Sequence, residues 1–95
     1  MKIIKAAQAG ALESGDVLVT VSSNPEGGIK VELDTKPVIK KQFGGQIEKV
    51  IRETVEKLGV EDVIIKAQDK GALDYTYRAR VQSAIERALI QPEGE

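Results

Sequence analysis

The chain has 95 residues, of which 41% are hydrophobic and 31% charged, so we expect residues 1–95 to fold as one small globular domain and exclude a disordered chain. The 14 Lys and Arg residues nearly balance the 15 Asp and Glu residues, which argues against nucleic acid or an anionic membrane as a partner. With no His and no Cys, the chain excludes a Ser-His-Asp triad, a Cys-His dyad, a disulfide and a His or Cys zinc site, and we predict neither a catalytic residue nor a metal.

Three strands are predicted in the first third of the chain. Residues 13–16, Glu-Ser-Gly-Asp, separate two stretches that can be extended, which predicts a hairpin with Ser14 at the exposed tip of a tight two-residue turn. Residues 17–21 are almost all β-branched or aliphatic and predict a buried strand. After a cluster of turn residues at 24–28, residues 29–34 alternate between apolar and polar and predict a strand with one face in solvent.

The period of the pattern changes after Pro37, where apolar residues recur about every 3.6 positions. This predicts a helix that begins near Pro37 and ends before Gly59, with an irregular first turn or two because of Gly44 and Gly45. The residues predicted to form its buried stripe are Ile39, Phe43, Ile47, Val50, Ile51, Val55 and Leu58.

A fourth strand and a second helix follow. Residues 60–67 contain a β-branched run and predict a buried strand, which residues 69–71 end. Helical spacing then resumes, and a polar tail predicted to fray occupies residues 91–95. The apolar stripe of the second helix is predicted at Leu73, Tyr77, Val81, Ala84, Ile85, Ala88 and Leu89. The order strand-strand-strand-helix-strand-helix predicts an α+β fold of two layers, with both helices on one face of a mostly antiparallel sheet.

Ser14 is the first candidate functional residue, although a serine in a turn is most often only a turn residue. Without a histidine base it cannot be an activated hydrolytic nucleophile, but an external enzyme can reach an exposed hydroxyl and modify it. We interpret Glu13 and Asp16 as solvated turn carboxylates, of which Asp16 can accept hydrogen bonds from turn amides.

The second helix offers a basic face at Arg78, Arg80 and Arg87, yet such positions usually face solvent, and Asp74 is spaced for an ordinary pair with Arg78. Tyr77 falls on the apolar stripe and is predicted in the core, whereas Tyr75 is predicted to be exposed. The first residues contain an apolar stretch too short for a membrane span or a signal peptide, so we expect a cytoplasmic protein.

Short motifs at residues 10–17 (GALESGDV), 41–44 (KQFG), 69–74 (DKGALD) and 78–80 (RAR) occur in this order along the chain. Together they resemble the acyl carrier protein of citrate lyase, its gamma subunit, and the resemblance covers essentially the whole chain. Residues 24–28 and 35–39 look like variable connections within it.

The resemblance implies that Ser14 carries, through a phosphodiester, a phosphoribosyl dephospho-coenzyme A arm that ends in a thiol. It implies a non-catalytic subunit that carries acetyl and citryl thioesters between the alpha subunit, a citrate transferase, and the beta subunit, a citryl lyase, in citrate fermentation. We expect Glu13, Gly15 and Asp16 to form the turn that the prosthetic-group transferase recognises. We expect the exposed face of the last helix, including Arg78 and Arg80, to dock the partner subunits.

Two alternatives stay open at this point. The acyl carrier of malonate decarboxylase uses the same kind of arm, although residues 12–16 (LESGD) look closer to citrate lyase. A non-covalent protein interaction domain without a prosthetic group is the other, and an unmodified intact mass from the native host would favour it. A pantetheine carrier of the fatty-acid type is disfavoured, because the Asp-Ser-Leu start of a helix used by such carriers is absent.

Overall fold

The computed structural model describes residues 2–89, which form an α+β fold. Its elements are β1 (Ala7–Ala9), β2 (Val17–Ser23), β3 (Ile29–Asp34), α1 (Pro37–Lys57), β4 (Val63–Asp69) and α2 (Asp74–Leu89). This order confirms the predicted one. The tail at residues 91–95 lies outside the described residues, and neither described helix has the length and apolar character needed to cross a membrane.

The four strands form one sheet in the order β1-β2-β4-β3. Strand β2 pairs antiparallel with both β1 and β4, whereas β3 runs parallel to β4, so the prediction of a mostly antiparallel sheet is confirmed. Adjacent parallel strands cannot be joined by a tight turn, and the long connection they need contains α1.

The core lies between one face of this sheet and the two helices. Alternate residues of β2 and β4 are buried, and their neighbours along each strand are partly or fully exposed, which is the period of a sheet covered on one side. The buried strand residues are Val17, Val19, Val21, Val63, Ile65 and Ala67, and those of the helices are Ile47, Val50, Ile51, Val55, Tyr77, Val81, Ala84, Ile85 and Ala88. Tyr77 is therefore in the core, as predicted.

Helix α1 differs from its prediction in two ways. It is continuous through Gly44 and Gly45, since the apolar residues after them pack on the sheet and offset a cost of about 1 kcal/mol for each glycine. Its buried residues begin only at Ile47, so Phe43 lies beyond the core and is 52% exposed, not buried as predicted. Leu73, also predicted on a buried stripe, precedes α2 and is 59% exposed.

The connection between β1 and β2 spans residues 10–16, so the predicted two-residue hairpin turn is wrong. The chain leaves β1 at Gly10, whose φ is +94° and whose Cα hydrogen faces the Val17 carbonyl. A Cβ at this position would clash with that oxygen, so only glycine fits. The tight turn at residues 13–16 is one part of this longer loop.

Asn24 organises the loop between β2 and β3. It is buried, and its side-chain amide donates to the carbonyls of Gly27 and Gly28 at 2.9 and 3.1 Å and accepts from the Glu26 N–H at 3.1 Å. The Asn24 N–H donates to the Asp62 carbonyl at 2.8 Å, which ties this loop to the start of β4. The predicted turn cluster thus depends on one buried polar side chain.

We expect Asn24→Ala to lower the free energy of unfolding by about 2 kcal/mol, because it removes the three hydrogen bonds that the buried Asn24 side chain makes within its loop. Urea unfolding of the variant measures this loss. Ser23→Ala, a change at the exposed neighbouring residue, should stay within about 0.5 kcal/mol of the parent. Equal losses in the two variants would contradict the role assigned to the Asn24 amide.

Candidate functional site

Ser14 lies at the exposed tip of a β-turn, as predicted. The Asp16 N–H donates to the Glu13 carbonyl at 3.0 Å, and Gly15 occupies the third position with a φ of +85°, the conformation that a type II turn requires there. Within residues 2–89 the Ser14 hydroxyl makes no hydrogen bond. The oxygen is therefore free and open to another molecule.

The backbone of this turn is bonded to the loop between β4 and α2. The Gly15 N–H donates to the Lys70 carbonyl at 2.7 Å, and the Lys70 N–H donates to the Asp16 carbonyl at 2.9 Å. These bonds extend the β2–β4 pairing beyond its last register pair, Val17 opposite Asp69. The Ser14 side chain is thus free while the backbone that carries it is fixed.

The Asp16 carboxylate is paired, not solvated as predicted. One oxygen accepts from the Val17 N–H at 2.7 Å and from Arg80 Nε at 3.0 Å, and the other accepts from Arg80 Nη2 at 3.0 Å. The fork of the guanidinium first, and the Val17 amide second, hold the pKa of Asp16 below its usual value. Only 16% of the Asp16 side chain is exposed, whereas Glu13 is exposed as predicted.

The arginines of α2 have different environments. Arg80 is bound to Asp16, and Arg87 donates to the Gln8 carbonyl at 2.7 Å, whereas Arg78 is exposed. In the described part of the chain Asp74 does not pair with Arg78, and its carboxylate accepts a hydrogen bond from Gln46 of α1 at 3.2 Å. Arg80 is thus a support of the turn, and Arg78 is the freer cation of the predicted docking pair.

Asp69, at the end of β4, joins three segments near the turn. Its carboxylate accepts from the Thr35 hydroxyl at 2.8 Å and from the N–H groups of Gly71 and Ala72 at 3.1 and 3.0 Å. Burial raises the pKa of Asp69, but these donors and the nearby Tyr77 hydroxyl outweigh it, and the pKa lies below the usual value. Asp69 is therefore charged at neutral pH and holds the starts of both helices beside the turn.

The buried hydroxyl of Tyr77 lies close to Asp69 but outside the limits of a well-formed hydrogen bond. Burial first, and the neighbouring Asp69 carboxylate second, raise the pKa of Tyr77 far above its ordinary value. The phenol therefore stays protonated and neutral at physiological pH.

A groove of about 1200 Å³ lies between the start of α1 and the loop that leads into α2, and Ser14 is one of the residues that line it. Three exposed apolar side chains line it, Phe43, Leu73 and Tyr75, the last of which is exposed as predicted. The sequence pattern placed Phe43 and Leu73 in the core because they match the helical period, so it contained no sign of this groove. The bonds of Asp16 to Arg80 and of Gly15 to Lys70 were also missed, since no local pattern links residues so far apart.

Comparison with known proteins identifies the family. The protein-family model described as malonate decarboxylase delta subunit (MdcD) matches residues 4–88. A citrate lyase acyl carrier protein from Salmonella typhimurium is 52% identical over 98% of this chain and 94% of its own length. Another, from Halothermothrix orenii, is 49% identical over 93% of this chain and 90% of its own.

A crystal structure of a protein from Thermus thermophilus has a TM-score of 0.61 and 18% identity over 92% of this chain, which supports the fold alone. This chain corresponds to 16% of that protein's length. The curated relatives, by contrast, match over nearly their full length, and the family model covers all of the elements described above except the last residue of α2. The chain therefore belongs to the acyl carrier family that the malonate decarboxylase delta subunit model describes, and within it to the citrate lyase acyl carrier proteins.

Proposed function

We propose that this chain carries acetyl and citryl groups between the citrate transferase (alpha) and citryl lyase (beta) subunits of citrate lyase, on a phosphoribosyl dephospho-coenzyme A arm attached at Ser14. The acyl carrier role, and with it a covalently attached prosthetic group, follows from membership of the family. The observation that supports Ser14 as the attachment residue is its free, exposed hydroxyl on a turn whose next two residues are bonded through their backbone to Lys70.

The residues around Ser14 fit such a group. The chain has no cysteine and therefore no thiol of its own. When attached, the arm supplies the thiol that forms thioesters. The Ser14 hydroxyl is the group that has to react. The hydrogen bond from the Gly15 N–H to the Lys70 carbonyl fixes the backbone next to it. Arg80 neutralises Asp16, so a phosphodiester on Ser14 would not face an uncompensated carboxylate two residues away.

The role of the chain is then to position the acyl group that the arm carries. A tethered acyl group reaches two partner sites at a high effective concentration, provided that its attachment point is fixed. Exposed Glu13 and the Gly15 turn are the features that the prosthetic-group transferase would read. The exposed Arg78 is the cation that we propose for docking of the large subunits.

The carrier of malonate decarboxylase is the second candidate, because the family model bears that description. The names of the curated relatives favour citrate lyase. The two functions are separated by mixing the arm-bearing, acetylated chain with the partner subunits of citrate lyase and citrate, or with those of malonate decarboxylase and malonate. Only the correct partner subunits will replace the acetyl group on the arm by the acyl group of their substrate and release acetate. We expect exchange with citrate, and exchange with malonate alone would reverse the assignment.

Ser14→Ala tests the attachment site. After co-expression with the prosthetic-group transferase, we expect the parent chain to gain the mass of the arm, and the variant to gain none and to support no citrate cleavage with the large subunits. Stability should change by less than about 0.5 kcal/mol, because an exposed turn serine packs against little. Ser23→Ala is the control and should be modified normally. Attachment of the arm to the Ser14→Ala variant would reject the site, and an unmodified parent would favour a non-covalent interaction domain.

Gly15→Val tests whether the shape of the turn is read during modification. A β-branched residue at the Gly15 φ of +85° is strained by about 1 to 2 kcal/mol, so we expect the modification rate to fall about tenfold. Gly28→Val is a matched control, because Gly28 has a φ of +82° and, like Gly15, has no heavy atom within 4 Å of the place that a Cβ would occupy. It should lose similar stability yet be modified at the parent rate. Equal rates for the two variants would reject recognition of the turn.

Arg78→Glu tests the docking face. We expect the dissociation constant for the large subunits to rise about fivefold with no change in melting temperature, because the side chain is exposed. Lys57→Glu, a charge reversal on the last turn of α1, is the control and should bind normally. Arg80→Glu is unsuitable as a docking probe, since it breaks the pair with Asp16 and should lower the melting temperature. Unchanged binding by Arg78→Glu would remove Arg78 from the interface.

A further inference from the structure

The exposed apolar side chains of this protein are concentrated beside the turn. Residues 2–89 contain six large hydrophobic side chains that are exposed, and three of them, Phe43, Leu73 and Tyr75, line the groove that Ser14 also lines. Their exposed fractions are 52, 59 and 68%. Apolar side chains clustered on a concave surface are typical of a binding site, not of a randomly exposed surface.

We propose that this groove is a docking site for the arm itself: the neutral, amide-containing thiol end of the arm lies along Phe43, Leu73 and Tyr75 when the carrier is not engaged with a partner. The inference rests on the proposed attachment at Ser14. It adds to the proposed function a second, non-covalent site on the same chain and a resting state for the acyl group.

The dimensions and the tether support this occupant. The groove volume of about 1200 Å³ is above the range of about 300 to 1000 Å³ typical of small-molecule sites, so the groove is large enough for the thiol end of the arm. Since Ser14 is among the lining residues, the arm starts within the groove and its docking is intramolecular. Short tethers give effective concentrations of about 1 mM, so an intrinsic dissociation constant of about 0.25 mM suffices to keep about four fifths of the arm docked.

Among residues 2–89, two lysines and three aspartates line the groove. Lys70, whose backbone is bonded to Gly15 and Asp16, is the lining cation next to the attachment point, and Lys36 is the other. The lining carboxylates are Asp34, Asp69 and Asp74, of which Asp69 is held by Thr35 and two amides and Asp74 by Gln46. A groove that contains more acids than bases favours a neutral segment over phosphates in its interior.

The test uses the arm-bearing protein, with attachment verified by intact mass, and measures how fast the arm thiol reacts with a small disulfide reagent. We expect the parent thiol to react about fivefold more slowly than free coenzyme A, as a mostly docked arm requires. Phe43→Ala combined with Tyr75→Ala should restore the rate of free coenzyme A. Ile4→Ala removes an exposed apolar side chain outside the groove and should react like the parent.

A second readout does not depend on the thiol. Amide NMR shifts of Phe43, Leu73 and Tyr75 should change between the unmodified and the arm-bearing chain, beyond the local changes at residues 13–16. A fully modified chain whose thiol reacts like free coenzyme A, with shifts confined to the turn, overturns the docking site and leaves the proposed function intact. The same holds if these shifts appear only on addition of a large subunit, which makes the groove a protein interface. A chain that never acquires the arm overturns the proposed function and this inference together.

Discussion

The antiparallel pairing of β2 with β4 is the contact on which both the core and the candidate site depend. Its register joins residues 17–23 to residues 63–69 and buries a row of valines, isoleucine and alanine beneath the helices. Backbone bonds continue past both ends of this ladder, from Lys70 to Asp16 at one end and from Asn24 to Asp62 at the other. The strand pair that forms the core therefore also fixes the loop that carries Ser14.

Two ionised carboxylates complete the anchorage of the turn. Asp16 and Asp69 both have a pKa lowered from 3.8, so each binds fewer protons in the folded than in the unfolded chain at pH values near 4. Their stabilising contribution is fully present above the unfolded pKa and is lost as the pH falls through the folded pKa. The site is thus held by backbone bonds, by the ion pair of Asp16 with Arg80 and by the hydrogen bonds that Asp69 accepts, and acid weakens the last two directly.

Local periodicity was enough to predict the order of the elements, because each helix and strand buries one face and so repeats its apolar residues. It also placed Tyr77 in the core, and the turn residues at 13–16 placed Ser14 at an exposed turn. It failed where the period continues past the region that the sheet covers, which is why Phe43 and Leu73 were assigned to the core. It failed again for Asp16, whose partner Arg80 is 64 residues away and is brought near only by the packing of α2 on the sheet.

The exposure of Phe43, Leu73 and Tyr75 costs stability, because fully burying one large apolar side chain contributes about 1.5 to 3 kcal/mol to the free energy of unfolding. The total stability of a folded domain is typically only about 5 to 15 kcal/mol. A ligand that covers them recovers part of that free energy only while it is bound. A carrier arm has to leave its own protein to react at a partner, so a deep pocket would oppose its transfer. An open groove lined by half-exposed side chains gives a contact weak enough to break, and the tether at a fixed turn makes that weak contact sufficient.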